Sequence, residues 1–129
     1  MANYSILLTS GPYHGDAALR VKSFIDGVLE NGDTVDNVFF YGEGVHHCNH
    51  FAVQSGDEFY PYDYWIQLFA SQHTSLLVCI TAAIKRGVVS GDEAKENGID
   101  GANLVAPFQQ AGLGEFFSAL HNCDRLVQF

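Results

Sequence analysis

Apolar positions in this chain follow two alternating patterns, short continuous runs and helical stripes. Residues 4–9 and 35–41 are short, mostly apolar segments typical of buried strands. Between them, apolar residues recur every three or four positions, which predicts a helix with one apolar face. That face comprises Ala17, Val21, Phe24, Ile25, Val28 and Leu29. Gly32 is the expected end of the helix, so residues 4–41 predict a β-α-β unit.

The remaining residues continue the alternation with shorter segments. Further helices are predicted at residues 45–51, at residues 62–72, from residue 80 onward, and after Gly112, where Phe116, Phe117 and Leu120 form the apolar face. Further strands are predicted at residues 75–79, 108–110 and 125–129. Turns or loops are predicted at residues 42–44, 52–58 and 90–103, the last of which is polar and rich in turn residues.

Strands that alternate with helices predict an α/β fold, in which a mostly parallel sheet is covered on both faces. The loops that follow Thr9, Tyr41 and Cys79 would lie together at the carboxyl edge of that sheet. Ligands and reactions gather at this edge in parallel sheets. The length of 129 residues and a hydrophobic content of 47% suit a single domain, residues 1–129, with one core.

Composition narrows the class of protein further. Three cysteines are an odd number, which disfavours a closed disulfide framework. The first residues do not resemble a signal peptide, and no apolar run approaches the roughly 20 residues of a membrane span. We therefore expect a soluble protein of the cytoplasm that is not associated with a membrane.

Charge argues against direct binding to nucleic acid. Fifteen acidic and six basic residues give a net charge of −9, and the one basic cluster is Lys85-Arg86. Binding to a phosphate backbone depends on clustered lysine and arginine. A protein or small-molecule partner is the better interpretation.

Cys79 lies at a predicted strand-to-helix junction, where an apolar run is followed by an alanine-rich helical segment. A helix start favours an anion such as a thiolate, whereas apolar burial disfavours one. Cysteine is also among the residues most often buried. Position alone therefore leaves two interpretations open, a reactive thiol and an inert core thiol.

Six short motifs that follow one another along the chain favour the reactive thiol over the inert one. They are Gly11-Pro12-Tyr13; Phe39-Phe40-Tyr41 with Gly44-Val45 and Asn49; Cys79 with Ala82-Ala83; Arg86-Gly87-Val88-Val89; Gly112-Leu113-Gly114; and the closing segment at residues 124–129. This set resembles the DsrE/TusD family of sulfur-relay proteins, most closely its TusD branch, over essentially the whole chain. In that family the active cysteine matches Cys79.

The resemblance implies a three-layer α/β/α fold with a five-stranded, mainly parallel sheet. It also implies a sulfurtransferase subunit that joins TusB-like and TusC-like subunits in a heterohexamer. Cys79 would accept sulfane sulfur as a persulfide from a TusA-like carrier and pass it to a TusE-like acceptor, which serves 2-thiolation of the tRNA wobble uridine. One cysteine suffices to hold this cargo, so we expect no cofactor.

Other functions remain open at this point. In one alternative the chain resembles a related DsrE branch, which relays sulfur in sulfur oxidation through a DsrC-like acceptor. In another, the chain is a non-catalytic scaffold subunit of the same hexamer. A flavin carrier fits the layered architecture, but the loop at residues 11–15 lacks the spacing of a phosphate-binding loop. We expect this loop to be a tight turn at the rim of the site.

A third function, metal binding, is suggested by His46, His47, Cys48 and His50, because imidazole and thiolate are metal ligands. Adjacent residues point in different directions, however, so we expect no metal site and interpret the segment as a polar loop. If it lies beside Cys79, its histidines would tune the thiol or meet a partner.

Three further features are interpreted as structural. Lys85 and Arg86 predict a solvated helix end, with attraction of an acidic partner or stabilisation of an anion as alternatives. Cys123 predicts a packed, inert thiol. Aromatic residues crowd residues 59–69 more densely than one helix face can bury, which indicates core or subunit interface, and of the two we favour the interface.

Overall fold

The computed structural model describes all 129 residues, 1–129. The strands are β1 (Asn3–Leu8), β2 (Thr34–Phe40), β3 (Ser75–Cys79), β4 (Gln109–Ala111) and β5 (Arg125–Gln128). The helices are α1 (Ala17–Glu30), α2 (Pro61–Gln72), α3 (Ile80–Lys85), α4 (Gly91–Glu96) and α5 (Leu113–Leu120), together with a 3-10 helix at Gly42–Cys48. No helix combines the length and apolar character needed to cross a membrane.

All five strands form one sheet in the order β4-β3-β2-β1-β5, and every pairing is parallel. Side chains of consecutive strand residues point to opposite faces of a sheet. In β2, Phe40 packs edge-on against Trp65 of α2, with ring centroids 5.2 Å apart. Its neighbour Phe39 stacks on Phe116 of α5 at 4.5 Å. Helices therefore cover both faces, and the predicted α/β fold with a five-stranded parallel sheet is confirmed.

The predicted β-α-β unit is present with nearly the predicted bounds. Helix α1 buries Val21 and Ile25 completely beneath the sheet, and each such side chain stabilises the fold by roughly 1.5–3 kcal/mol. Phe24 lies at the edge of this face, where its ring packs against Tyr4. Gly32 follows the helix with φ +84°, a left-handed conformation that glycine adopts without strain.

The helix predicted at residues 45–51 is shifted and tighter than expected. It is the 3-10 helix, which begins at Gly42 and ends at Cys48, so the glycines predicted to form a turn are its first residues. Gly42 turns the chain directly out of β2 with φ +55°. A Cβ on Gly44 would lie 2.0 Å from the carbonyl oxygen of Leu8, so only glycine allows the helix to press against the end of β1.

The segment at residues 90–103 is not only turns, because it contains α4. The hydroxyl of Ser90 accepts a hydrogen bond from the backbone N–H of Glu93 at 3.2 Å. The Glu93 carboxylate accepts one from the backbone N–H of Ser90 at 2.9 Å. This reciprocal capping box satisfies donors that are otherwise unpaired at a helix start. It stabilises a helix that lacks a broad apolar face.

The structure separates the predicted aromatic clusters into interior and exposed residues. Trp65 is 1% exposed and Tyr62 packs against Phe108, so these two residues of the crowded segment belong to the core. Phe69 is 39% exposed, and the subunit interface at this segment stays a prediction. The sheet supplies the second surface that one helix face lacked, because Phe40 projects toward α2. The prediction that Phe117 lies on the apolar face of α5 is wrong, because Phe117 is 56% exposed, whereas Phe116 stacks on Phe39 of the sheet.

Candidate functional site

Cys79 is the last residue of β3 and directly precedes α3, so its predicted place at a strand-to-helix junction is confirmed. Its register partner is Ala111 in the edge strand β4. The residue is 7% exposed. The thiol therefore lies at the carboxyl edge of the sheet, beneath the loops that surround it.

A pocket of about 260 Å³ gives access to this position. It is lined by Tyr41, Gly42, Cys79, Thr81, Ala82, Lys85 and Arg86. These residues come from the end of β2, the start of the 3-10 helix and one side of α3. The loops after Tyr41 and Cys79 thus meet as predicted. A water molecule occupies about 30 Å³ of liquid volume, so the pocket has room for several atoms of a visiting thiol.

Arg86 is held at the rim of this pocket by two hydrogen bonds. Its Nε donates to Glu43 Oε2 at 2.9 Å, and its Nη1 donates to the carbonyl oxygen of Ala82 at 3.1 Å. Arg86 thus lies at the helix end as predicted, but its side chain is 30% exposed and paired with a carboxylate, so it is only partly solvated. Lys85 fits the predicted solvated helix end, since it is exposed and has no side-chain partner.

Glu43 is a site residue that the sequence interpretation missed. Besides Arg86, its Oε2 contacts His46 Nε2 at 3.1 Å. The hydrogen bond from Arg86 lowers the pKa of the Glu43 carboxyl, and His46 acts in the same direction. The available signal was its place between two glycines just after a strand, at the predicted carboxyl edge.

A larger cavity of about 680 Å³ lies on the other side of the 3-10 helix. It is lined by Thr9, Ser10, Gly11, Pro12, Tyr13, His14, Glu43, His46, Asn49 and Ala52. The loop after Thr9 therefore shapes the rim of this cavity, and Glu43 stands between the two. The larger cavity contains no thiol, so the chemistry of a cysteine belongs to the smaller pocket.

The segment of three histidines and Cys48 does not converge on one point. His47 is 2% exposed, where its ring accepts a hydrogen bond from Trp65 Nε1 at 3.1 Å and lies 3.0 Å from the carbonyl oxygen of Ser10. Burial lowers the pKa of His47 to about 4, so the ring is neutral near pH 7. His46 instead faces Glu43.

The other two members of this segment face elsewhere again. Cys48 is completely buried, and that burial raises the pKa of its thiol. His50 Nδ1 lies 3.1 Å from the hydroxyl of Tyr62. No three histidine, cysteine or acidic side chains come together as a metal-binding group anywhere in the chain. The metal-binding alternative therefore has no ligand set here.

Cys123 lies near the opposite edge of the sheet from Cys79. It precedes β5, and the adjacent Asp124 N–H bonds the carbonyl oxygen of Asn3 at the start of β1. Its Sγ is 3.4 Å from the carbonyl oxygen of Ala119. Burial, with Asp36 and Asp124 nearby, raises the pKa of this thiol. These contacts agree with the predicted packing of Cys123, and its inertness stays a prediction.

Comparison with known proteins gives matches along nearly the whole chain. A family model described as the DsrE/DsrF-like family matches residues 2–129. Sulfurtransferase TusD of Proteus mirabilis (strain HI4320) is 40% identical over 124 residues, which cover 95% of each chain. Sulfurtransferase TusD of Serratia proteamaculans (strain 568) is 37% identical over 129 residues, 100% of both chains.

Two further comparisons extend this result. A sulfurtransferase TusD homolog of Pseudomonas aeruginosa is 39% identical over 118 residues, which cover 92% of this chain and 90% of the relative. Among solved structures, the crystal structure of the ychN protein from E. coli matches with a TM-score of 0.69 over 100% of both chains. Its sequence identity is 17%, so that likeness shows a shared fold.

Proposed function

We propose a sulfur-relay function for this chain, which belongs to the DsrE/DsrF-like family. The chain is a sulfurtransferase subunit in which Cys79 accepts sulfane sulfur as a persulfide and passes it to an acceptor. The sulfurtransferase class is supported by relatives of that name that are 37% and 40% identical over nearly their full length. The role of Cys79 is supported by the pocket that it lines.

One observation carries this assignment to Cys79. It is the cysteine that combines a place at the carboxyl edge of the sheet with a pocket of about 260 Å³. Cys48 is fully buried, and Cys123 lies near the amino edge. Persulfide exchange requires that a thiolate and a visiting sulfur meet, as in disulfide exchange, so a pocket beside the thiol favours Cys79.

The finer part of the proposal concerns the partners. A TusA-like carrier supplies the sulfur and a TusE-like acceptor receives it, in the cytoplasm, for 2-thiolation of the tRNA wobble uridine. TusB-like and TusC-like subunits complete a heterohexamer. This part is supported by the sequence resemblance and by the name TusD of the relatives. The net charge of −9 also favours delivery to a protein over direct contact with tRNA.

Intact mass measurement after incubation with a persulfide donor tests the proposal. We expect wild type to gain the mass of one sulfur atom and Cys79→Ser to gain none. Cys123→Ser is the matched control, because it removes a thiol outside the pocket and should load like wild type. A chain that never loads would favour a scaffold subunit. A Cys79→Ser variant that still loads would contradict the assignment to Cys79.

Co-purification separates the two relay branches. We expect the chain to recover TusB-like and TusC-like subunits from cells that express all three, and the loaded complex to discharge its sulfur to a TusE-like protein. Discharge to a DsrC-like protein alone would instead support sulfur oxidation. Recovery of the chain without either subunit would contradict the heterohexamer.

A further inference from the structure

We propose that Arg86, oriented by Glu43, is the anion-binding residue of the Cys79 pocket and stabilises the negative charge on sulfur during transfer. The inference rests on the proposed function, since it takes Cys79 as the reacting thiol. The inference assigns two further residues to the site. Arg86 acts on the sulfur directly, and Glu43 acts on it only by positioning Arg86.

The hydrogen bonds of Arg86 leave most of its donors free. A guanidinium carries five N–H donors in a planar fork. Two are used, one on Glu43 Oε2 at 2.9 Å and one on the carbonyl oxygen of Ala82 at 3.1 Å. The other three have no partner in the protein. Because Arg86 and Cys79 line the same pocket, these donors are available to an anion that enters it.

Arg86 is also the better fixed of the two cations at the pocket. The chain has six basic residues against fifteen acidic ones, and Lys85 and Arg86 both line this pocket. Lys85 has no side-chain partner, so binding an anion would cost the rotamer freedom of its long stem. Arg86 has already lost that freedom, because Glu43 and Ala82 hold it at two points.

The main effect of Glu43 is to position Arg86, and Glu43 neutralises the positive charge of Arg86 only in part. The Glu43 side chain is 64% exposed, whereas that of Arg86 is 30% exposed. Water screens the exposed carboxylate more strongly than the sheltered guanidinium. Gly42 and Gly44 fix the 3-10 helix that carries Glu43, one by its left-handed turn and the other by its close approach to Leu8. The carboxylate is therefore presented to Arg86 by a rigid segment.

Sulfur transfer carries a negative charge through this pocket. The Cys79 thiolate attacks the terminal sulfur of the donor persulfide, a new Sγ–S bond forms, and the S–S bond of the donor breaks. The electron pair of the broken bond stays on the donor sulfur, which leaves as a thiolate. Persulfide and thiolate are exchanged between two chains, so no external oxidant or reductant is consumed. The charge is present before, during and after the step, and an arginine beside it stabilises each state.

Alkylation of Cys79 by reagents of different charge tests the inference. Iodoacetate is an anion and iodoacetamide is neutral, so the ratio of their rates reports the potential in the pocket separately from thiol reactivity. We expect Arg86→Gln to lower this ratio about fivefold, the effect of one nearby unit charge in a high-dielectric setting. Arg86→Lys should restore part of it, and Lys85→Gln should lower it less than Arg86→Gln does.

The matched control is Arg20→Gln, which removes an arginine that is also paired with a carboxylate, Asp16, but lies on α1. It should leave the ratio at the wild-type value. Rising salt should reduce the ratio in wild type and leave it nearly constant in Arg86→Gln, because mobile ions screen the charge. Equal ratios in wild type and Arg86→Gln would overturn the inference.

Glu43→Ala tests the positioning part separately. If the carboxylate only offsets the charge of Arg86, its removal raises the iodoacetate preference; if it orients Arg86, removal lowers it. We expect a lower ratio, and a higher one would contradict the orientation by Glu43. Failure of both reagents to modify Cys79 in wild type would contradict the proposed function as well, so the two failures are distinguishable.

Discussion

At the scale of single residues, the environment of each cysteine decides its chemistry. Cys79 lines a pocket, Cys48 is sealed in the core, and Cys123 is half-buried among acidic neighbours. Burial disfavours the thiolate that attacks an electrophile, and sealed packing also excludes the reagent. We therefore expect unequal reactivity from three chemically identical side chains.

This inequality predicts the order of alkylation in the native protein. We expect iodoacetamide to modify Cys79 first, while Cys48 reacts only after unfolding, because its thiol is completely buried and its pKa is raised. Peptide mapping after brief labelling, with and without urea, measures the order. Native labelling of Cys48 as fast as Cys79 would contradict it.

His47 predicts a dependence of stability on pH. Its pKa is lowered from 6.5 to about 4 by burial, so the unfolded chain binds a proton in a range where the folded chain does not. The contribution of this group to stability is therefore full above 6.5 and declines as the pH falls toward 4. Between about pH 7 and about pH 5 the loss amounts to about 2 kcal/mol.

Urea unfolding of wild type and His47→Gln at the two pH values measures this loss. The variant is less stable throughout, because it loses the bonds to Trp65 and Ser10, but its free energy of unfolding should change less with pH. Carboxylates titrate equally in both proteins and cancel in the comparison. The same pH dependence in both would contradict a neutral, buried His47.

At the scale of elements, regular apolar patterns were sufficient to predict the sheet and its two longest helices. The 3-10 helix was misplaced because its start depends on a tertiary contact, the close approach of Gly44 to Leu8, which no local pattern encodes. Helix α4 was missed because polar residues form it, although the Ser90–Glu93 capping box was a readable signal. Local rules therefore failed where long-range packing or a cap replaced an apolar stripe.

Gly44→Ala tests the contact that sets the 3-10 helix. A Cβ there would lie 2.0 Å from the Leu8 carbonyl oxygen, so the helix must move away from β1 and the protein should lose about 3 kcal/mol. Gly27→Ala is the control, because its Cβ meets nothing within 4 Å in the last turn of α1. That variant should gain about 0.5–1 kcal/mol.

Urea unfolding of both alanine variants checks this pair. An unaffected Gly44→Ala protein would show that the 3-10 helix tolerates displacement, and Glu43 would then not be rigidly presented to Arg86. A destabilised Gly27→Ala protein would show that the comparison reflects alanine substitution in general.

At the scale of the whole molecule, the fold gathers at one edge residues that are distant in sequence. The junction at Cys79 was predictable, because the strand and the helix that meet there are adjacent in the chain. The bond between Glu43 and Arg86 was not, since it joins residues 43 positions apart across two elements. The α/β fold and the sulfurtransferase class were confirmed, whereas the ion pair at the site required the structure.

The charge of the whole molecule predicts its behaviour toward RNA. With a net charge of −9, the isolated chain should not bind tRNA at physiological salt, because it lacks the cation cluster that displaces counterions from phosphate. Fluorescence anisotropy of labelled tRNA titrated with the chain measures this. Saturable binding at micromolar chain would contradict delivery of sulfur through a protein acceptor.

The central claim is that Cys79 holds sulfur only in transit. Its most direct test is peptide mapping of the persulfide-loaded chain before and after addition of the acceptor protein. We predict that the added sulfur is on the peptide that contains Cys79, that peptides containing Cys48 and Cys123 carry none, and that the acceptor removes it. Sulfur on either of the other cysteines, or sulfur that stays on Cys79, would contradict the account.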